Sequence, residues 1–401
     1  MTVENHSKQQ TETVHIENFP MKVYYCGFNG FGQFPGKDKS KFSLLSPKLV
    51  PFDVGFLSCA WNRICFSTGS EAYLSGLIDG ESGKLVNLSI PSPRAISQVS
   101  CSRNNILAIT EDGDCWMRQF TEDWKNISDL LRAEIDSHDT LIGTDNPEVS
   151  STDHKIIKVC SGENVNLAVC NFGQVYSIPS PLSIPGKKVV EVACGFDHCL
   201  ALTVDGIVYS WGSGRRGQLG HDVLEDEDSP RELEMLSGLQ VKSISAGGWH
   251  SVALMRSGDA YVWGWNSSGQ LGLPCNEPRE RITEDGGVDM PSSDDKGIPS
   301  LSKCISPEIT SIKALPVPIN FPQGDEGKLI TAASCGSRHT IILTDDGAAW
   351  GCGWNAYGQL GLSDWTLYEN LTKITISEQV QSKIVNVVCG SWSTVLFVDD
   401  L

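Results

Sequence analysis

What this chain lacks narrows its biology first. No apolar run reaches the roughly 18 residues that a membrane-crossing helix needs. The opening stretch MTVENHSKQQTETVHIENF holds no apolar core of a secretory signal, and a disordered tail is expected over residues 1–20. Basic residues are few: 31 Lys and Arg stand against 49 Asp and Glu, a formal charge of −18. A chain so acidic repels phosphate backbones, so direct nucleic-acid binding is not expected, whereas basic partners such as histones are electrostatically admissible. None of the 14 cysteines forms a C-x-x-C pair, which leaves zinc without support. No glycine-rich stretch continues into Gly-Lys-Ser/Thr, so a phosphate loop is excluded as well.

What is present is repetition. Residues 192–220 read VACGFDHCLALTVDGIVYSWGSGRRGQLG, residues 244–272 read ISAGGWHSVALMRSGDAYVWGWNSSGQLG, and residues 333–361 read ASCGSRHTIILTDDGAAWGCGWNAYGQLG. Each copy runs small-Gly-x-x-His, an alternating apolar stretch, a Gly turn, a second alternating stretch, then Gly-Gln-Leu-Gly. Alternation such as Leu200, Leu202 and Val204 around Asp205-Gly206 predicts short strands joined by a hairpin, with both turn residues at positive φ. Degenerate copies recur at 58–63, 100–105, 159–164 and 388–393. Counting the His slot gives Arg63, Asn105, Asn164, His198, His250, His339 and Ser393, about 55 residues apart, which suits four-stranded propeller blades. The ends complete the pattern. VYYCGFNGFGQF (23–34) is the second half of a unit and CGSWSTVLFV (389–398) the first half. An all-β, seven-bladed β-propeller closed by pairing of N- and C-terminal strands is predicted. It is one domain over 21–401 with insertions at 119–155 and 274–311.

These segments resemble the regulator-of-chromosome-condensation repeat family, whose fold is a seven-bladed propeller. The resemblance runs through residues 21–401, strongest in 190–272 and 328–398. Cys26 and Cys352 stand where the family prefers Trp, and the first three His slots hold Arg or Asn. SWGSGRRGQLGH, AGGWHSV, YVWGWNSSGQL and SCGSRHT look closest to a small, single-propeller branch of the family. That likeness implies association with a Jumonji-type oxygenase and an influence on histone methylation and chromosome segregation, in the nucleus and on chromosomes. Likeness to the founding member implies instead a guanine nucleotide exchange factor for a small nuclear GTPase. That member's basic tail has no counterpart here, since residues 1–18 hold one Lys against three Glu.

No catalytic constellation is expected, and neither a metal nor a cofactor. His198, His250 and His339 recur at one position of one turn, which suits a structural role in satisfying backbone groups better than three catalytic sites. Cys59, Cys101, Cys160, Cys194, Cys335 and Cys389 fill one slot in six units. Equivalent slots should lie too far apart to be bridged, so small buried thiols are expected in a reducing compartment. The acidic run Leu224 to Asp228 reads as a solvated loop. Strand alternation puts the Gly-x-x-His turns and Gly-Gln loops on one face and the Asp-Gly hairpins on the other. The shared face then presents Phe196, Arg215, Arg216, Trp249, Trp265, Arg338, Trp354, Tyr357 and Trp392. Trp, Tyr and Arg dominate interface hot spots, so Arg215, Arg216, Trp249, Trp265, Arg338 and Tyr357 are the candidate partner-binding residues. Trp124, Ile127, Leu131 and Ile135 predict a helix in the first insertion. The second, rich in Asp, Glu, Ser and Gly, is expected to be disordered, and both should emerge on the same face. A non-enzymatic protein-interaction module follows, monomeric before its partner binds.

Overall fold

A computed structural model of the chain describes residues 21–34, 43–50, 54–68, 71–119, 122–131, 154–184, 186–275, 277–282, 288–289, 311–376 and 383–399. The expected tail over 1–20 lies outside these residues. Seven four-stranded antiparallel sheets, six of them in sequential order from the axis outward, form a seven-bladed propeller. The fourth blade is typical, with strands Val189–Cys194, His198–Thr203, Val208–Gly212 and Glu227–Glu232. Its second strand is buried at every residue, because neighbouring blades cover both of its faces, whereas its outer strand is largely wet. The core is therefore not a single mass. It is divided into seven slabs, one at each blade junction; Leu200, Val208, Ala253 and Trp263 fill the slab between the fourth and fifth blades.

The seventh blade joins the two ends of the chain. Its inner strands are Ile384–Cys389 and Ser393–Val398, and its outer strands are Lys22–Phe28 and Ser43–Leu49. Val23 faces Phe397 and Tyr25 faces Val395 across the junction. Val23, Tyr25, Phe66 and Phe397, each at most 2% exposed, bury the seam against the first blade. At about 1.5–3 kcal/mol per fully buried large apolar side chain, this seam is a substantial part of what keeps the ring shut. Closure of the ring by its termini is as expected.

Several local expectations are corrected. At the Asp205-Gly206 turn only Gly206 has positive φ, at 80°. Thr203 N–H bonds Ile207 O and Gly206 N–H bonds Thr203 O, giving a longer turn with one left-handed residue. The third blade is shifted by one residue. Gly162 N–H bonds Val165 O just as Gly195 N–H bonds His198 O, so Val165, not Asn164, fills the His slot. Ser161 then takes the Cys slot and Cys160 the one before it. In the first insertion the helical spacing is partly a strand signal. Lys125–Asn126 pairs with Met117 and Trp116 as the outer strand of the second blade, and helix begins at Ser128 and covers 128–131 among the described residues. Ile127 and Leu131 are buried because they face the slab between blades, while Ile135 is outside the described residues.

The two insertions also leave in different directions. The chain after Asn126 departs from an outer strand towards the hairpin face, whereas the second insertion separates the third and fourth strands of the fifth blade, on the opposite face. The start of that second insertion is ordered against the sixth blade. Cys275 N–H bonds Glu369 Oε1 at 2.7 Å, Glu280 pairs with Thr366, and Arg279 stacks 4.1 Å from Trp365. Arg281–Ile282 pairs with Val288–Asp289 as a small ribbon; residues 290–310 lie outside the described part.

Candidate functional site

The face formed by Gly-x-x-His turns and Gly-Gln loops is assembled by backbone bonds repeated from blade to blade. Ser213 N–H donates to Asp197 O, Trp265 N–H to Trp249 O, Trp354 N–H to Arg338 O, and Phe28 N–H to Trp392 O. Each bond pins the start of a Gly-Gln loop beside its turn, so side chains distant in sequence meet. Trp249 packs edge-on against Phe196 at 4.8 Å and against Trp265 at 5.2 Å. Trp354 does the same with Tyr357 at 5.0 Å and Trp392 at 5.1 Å. Arg216 lies over both Trp249 and Trp265, and Arg338 over Trp265. These residues are half-buried, neither core nor free surface. Arg215 differs: it is exposed and pairs with Asp226 at 3.1 Å. That aspartate also accepts the N–H of Gly214; the acidic run is an exposed loop over 224–226, as expected, and passes into the outer strand at Glu227.

The belt extends beyond the candidates drawn from the sequence. Phe28 contacts Tyr357 and Phe31, Phe31 contacts Trp61, and Arg103 lies 5.3 Å over Trp61. Trp61 and Arg103 occupy the turn slot that Phe196 holds in the fourth blade. Aligning the degenerate units by their turns was the signal that could have found them.

The histidines are locks between blades. His198 Nε2 meets Ser251 Oγ at 2.9 Å, His250 Nε2 meets Thr340 Oγ1 at 2.9 Å, and His339 Nε2 meets Thr394 Oγ1 at 3.1 Å. Ser251 and Thr340 donate in turn to the carbonyls of Gln218 and Gln270. Because those two hydroxyl hydrogens are used, the hydroxyl oxygens accept, and His198 and His250 carry their hydrogen on Nε2. The Nδ1 atoms have no hydrogen-bond partner and press against the turn glycine; a Cβ on Gly195 would sit 2.4 Å from Nδ1 of His198. Burial pushes all three histidines down to about pKa 3, so they are neutral at physiological pH. The sequence did not reveal the glutamine's part. Gln218, Gln270 and Gln359 are buried, and their side-chain oxygens accept the N–H two residues earlier while two of the carbonyls take the lock.

On the axis, the inner strands of all seven blades enclose a cavity of about 310 Å³. The cysteine expectation needs correction here. Cysteine positions of neighbouring blades are not far apart, because the inner strands converge: Cys101 Sγ lies 3.2 Å from Ser58 O, beside Cys59, and Cys194 N lies 3.2 Å from Cys160 Sγ. The thirteen described cysteines are nevertheless free thiols. Burial raises Cys335 and Cys389 to about 12, so they are not thiolates at neutral pH.

Comparison with known proteins adds ancestry to this geometry. Two profiles described as "Regulator of chromosome condensation (RCC1) repeat" match residues 205–254, 257–343 and 346–397, and residues 189–218, 241–270 and 330–359. Human RCC1 domain-containing protein 1 is 30% identical over 399 residues, 95% of this chain and 98% of that protein. Among solved structures, human WBSCR16 superposes with a TM-score of 0.67 at 19% identity, covering 94% of this chain and 99% of that one. Prp20p of Saccharomyces cerevisiae does so with a TM-score of 0.70 at 17% identity, over 95% and 92%; both likenesses speak for fold alone. Repeat matches over half the chain, an end-to-end relative at 30% identity and a ring of seven blades agree: this chain belongs to the regulator of chromosome condensation (RCC1) repeat family.

Proposed function

We propose that this chain is a non-catalytic platform that captures a protein partner on its aromatic and arginine face. The observation that carries the reading is the half-buried belt of Phe196, Trp249, Trp265, Trp354, Tyr357 and Trp392 with Arg216 and Arg338 laid over it. Rigid aromatics and guanidiniums at one surface are the composition of interface hot spots. The three histidines, held neutral and occupied as locks, are withdrawn from chemistry. The finer reading is a nuclear, chromosome-associated partner of a Jumonji-type oxygenase that influences histone methylation and chromosome segregation. It rests on likeness to the small branch of the family. Capture from nuclear extract with identification by mass spectrometry tests it: a Jumonji-type oxygenase should be retained by the intact chain and lost from a variant carrying Arg215→Glu with Arg216→Glu.

The alternative is nucleotide exchange on a small nuclear GTPase. Yeast Prp20p binds Gsp1p and histones, and that property belongs to Prp20p, whose likeness to this chain is one of fold. A nucleotide-release assay separates the two readings, since a platform leaves the release rate at its spontaneous value.

A further inference from the structure

The guanidinium carbon of Arg216 lies 4.5 Å from the ring centroid of Trp249 and 4.2 Å from that of Trp265. Arg338 approaches Trp265 at 4.8 Å, so two cations share one indole in a chain of net charge −18. Among the described residues, no carboxylate forms an ion pair with Arg216. Arg338 has only Glu277, at 3.9 Å, and its Nε–H has no acceptor. Arg215, by contrast, is already paired with Asp226. The two indoles stand at 87° to each other, so Arg216 sits in the corner between them and can lie flat on at most one, which leaves N–H edges of the guanidinium for a ligand. Those edges match a carboxylate in two-pronged geometry. Because the indoles hold the side chain before any ligand arrives, little rotamer freedom is lost on binding.

We propose that Arg216 and Arg338 form the docking point for an acidic peptide segment of the partner. It would carry at least two Asp or Glu side chains, with an apolar neighbour laid against Trp249 and Phe196. This rests on the platform reading and specifies its partner chemically. The hairpin turns of the opposite face carry Asp112, Asp205 and Asp346, but these are already paired with Arg94, Lys187 and Lys328, so no unpaired cation like Arg216 is offered by those pairs. An acidic segment is complementary to the arginines, while a basic histone tail is disfavoured at them.

The test is fluorescence anisotropy of a fluorescein-labelled peptide of repeating Glu-Asp-Leu, with a Lys-Arg-Leu peptide as control, against the full-length chain. The acidic probe should saturate and weaken with salt. Arg216→Gln should weaken it about tenfold or more, as loss of a charged partner does. Arg216→Lys should lose most of the affinity despite keeping the charge, and Arg256→Gln, at an exposed hairpin turn of the opposite face, should change it less than about twofold. Cooperative melts would show that the variants fold. Preference for the basic probe, or indifference to Arg216→Gln, overturns the proposal. So does acidic-probe binding that emerges only after deletion of residues 290–310, which would assign the arginines to the chain's own insertion. A partner captured from extract independently of Arg216, with no acidic-probe binding, sinks this inference and leaves the platform standing. Arg216-dependent probe binding with no captured partner supports the docking point and removes the platform reading.

Discussion

At the scale of single residues, the histidine locks make two predictions. Each of His250→Ala and His339→Ala removes a buried hydrogen bond and leaves a hydroxyl short of its partner, so each should cost about 1–3 kcal/mol. Partner capture by the folded variants should persist; intact stability with lost binding would mean the histidines serve the partner instead. The second prediction is acid lability. A histidine near 6.5 when unfolded and about 3 when folded binds its proton preferentially in the unfolded chain. Its contribution is complete above pH 6.5 and is lost as pH falls from there towards 3, at up to about 1.4 kcal/mol per pH unit for each group. Thermal melts from pH 7.5 to 4.5 should fall below pH 6.5, and His339→Gln should flatten that fall. A pH-independent melt would contradict neutral burial. At the arginines, Arg215→Glu with Arg216→Glu removes the Asp226 ion pair and the Arg216 contact with two indoles, so it should cost about 1–2 kcal/mol of stability and still leave a folded chain. It should weaken partner capture by about 2 kcal/mol or more, roughly thirtyfold. Asp205→Lys on the opposite face should leave capture intact; the reverse pattern would invert the assignment of faces.

At the scale of elements, the short outer strand Lys125–Asn126 and the turn behind it belong to the propeller and not to a detachable insertion. Leu131 is fully buried against Leu107, Ile156 and Tyr176. Leu131→Ala should therefore cost about 2–5 kcal/mol, read by chemical denaturation, and a loss under about 0.5 kcal/mol would place that segment outside the core. Closure supplies the other test. Deleting residues 1–35 removes Lys22–Phe28, exposes the edge of Ser393–Val398 and opens the seam at Tyr25. Such a truncation should melt lower and aggregate through the freed edge. Deleting 1–18 should be neutral, and equal melting temperatures for the two would rule out terminal closure.

At the scale of the whole molecule, the sequence by itself determined the number of blades, the joining of the two ends in one blade and the division of residues between two faces. The reason is that strand alternation is a local rule. Period-two patterning around glycine turns fixes which way each strand runs, and seven repetitions of a local rule fix a ring. Where the pattern was weak, the sequence misled. The third-blade slot slipped by one residue because no histidine marked it, and the helix drawn from Trp124 begins only at Ser128 because Lys125–Asn126 pairs as a strand. Only the tertiary structure decided the rest. Contacts between blades link residues tens of positions apart, so neither the His–hydroxyl–Gln locks nor the convergence of the cysteine strands has a local signature. The same holds for Arg216. Its sequence neighbours hold only its backbone N–H, which Gln218 accepts, and the seat of its side chain in the corner between Trp249 and Trp265 exists because two adjacent blades bring their loops together.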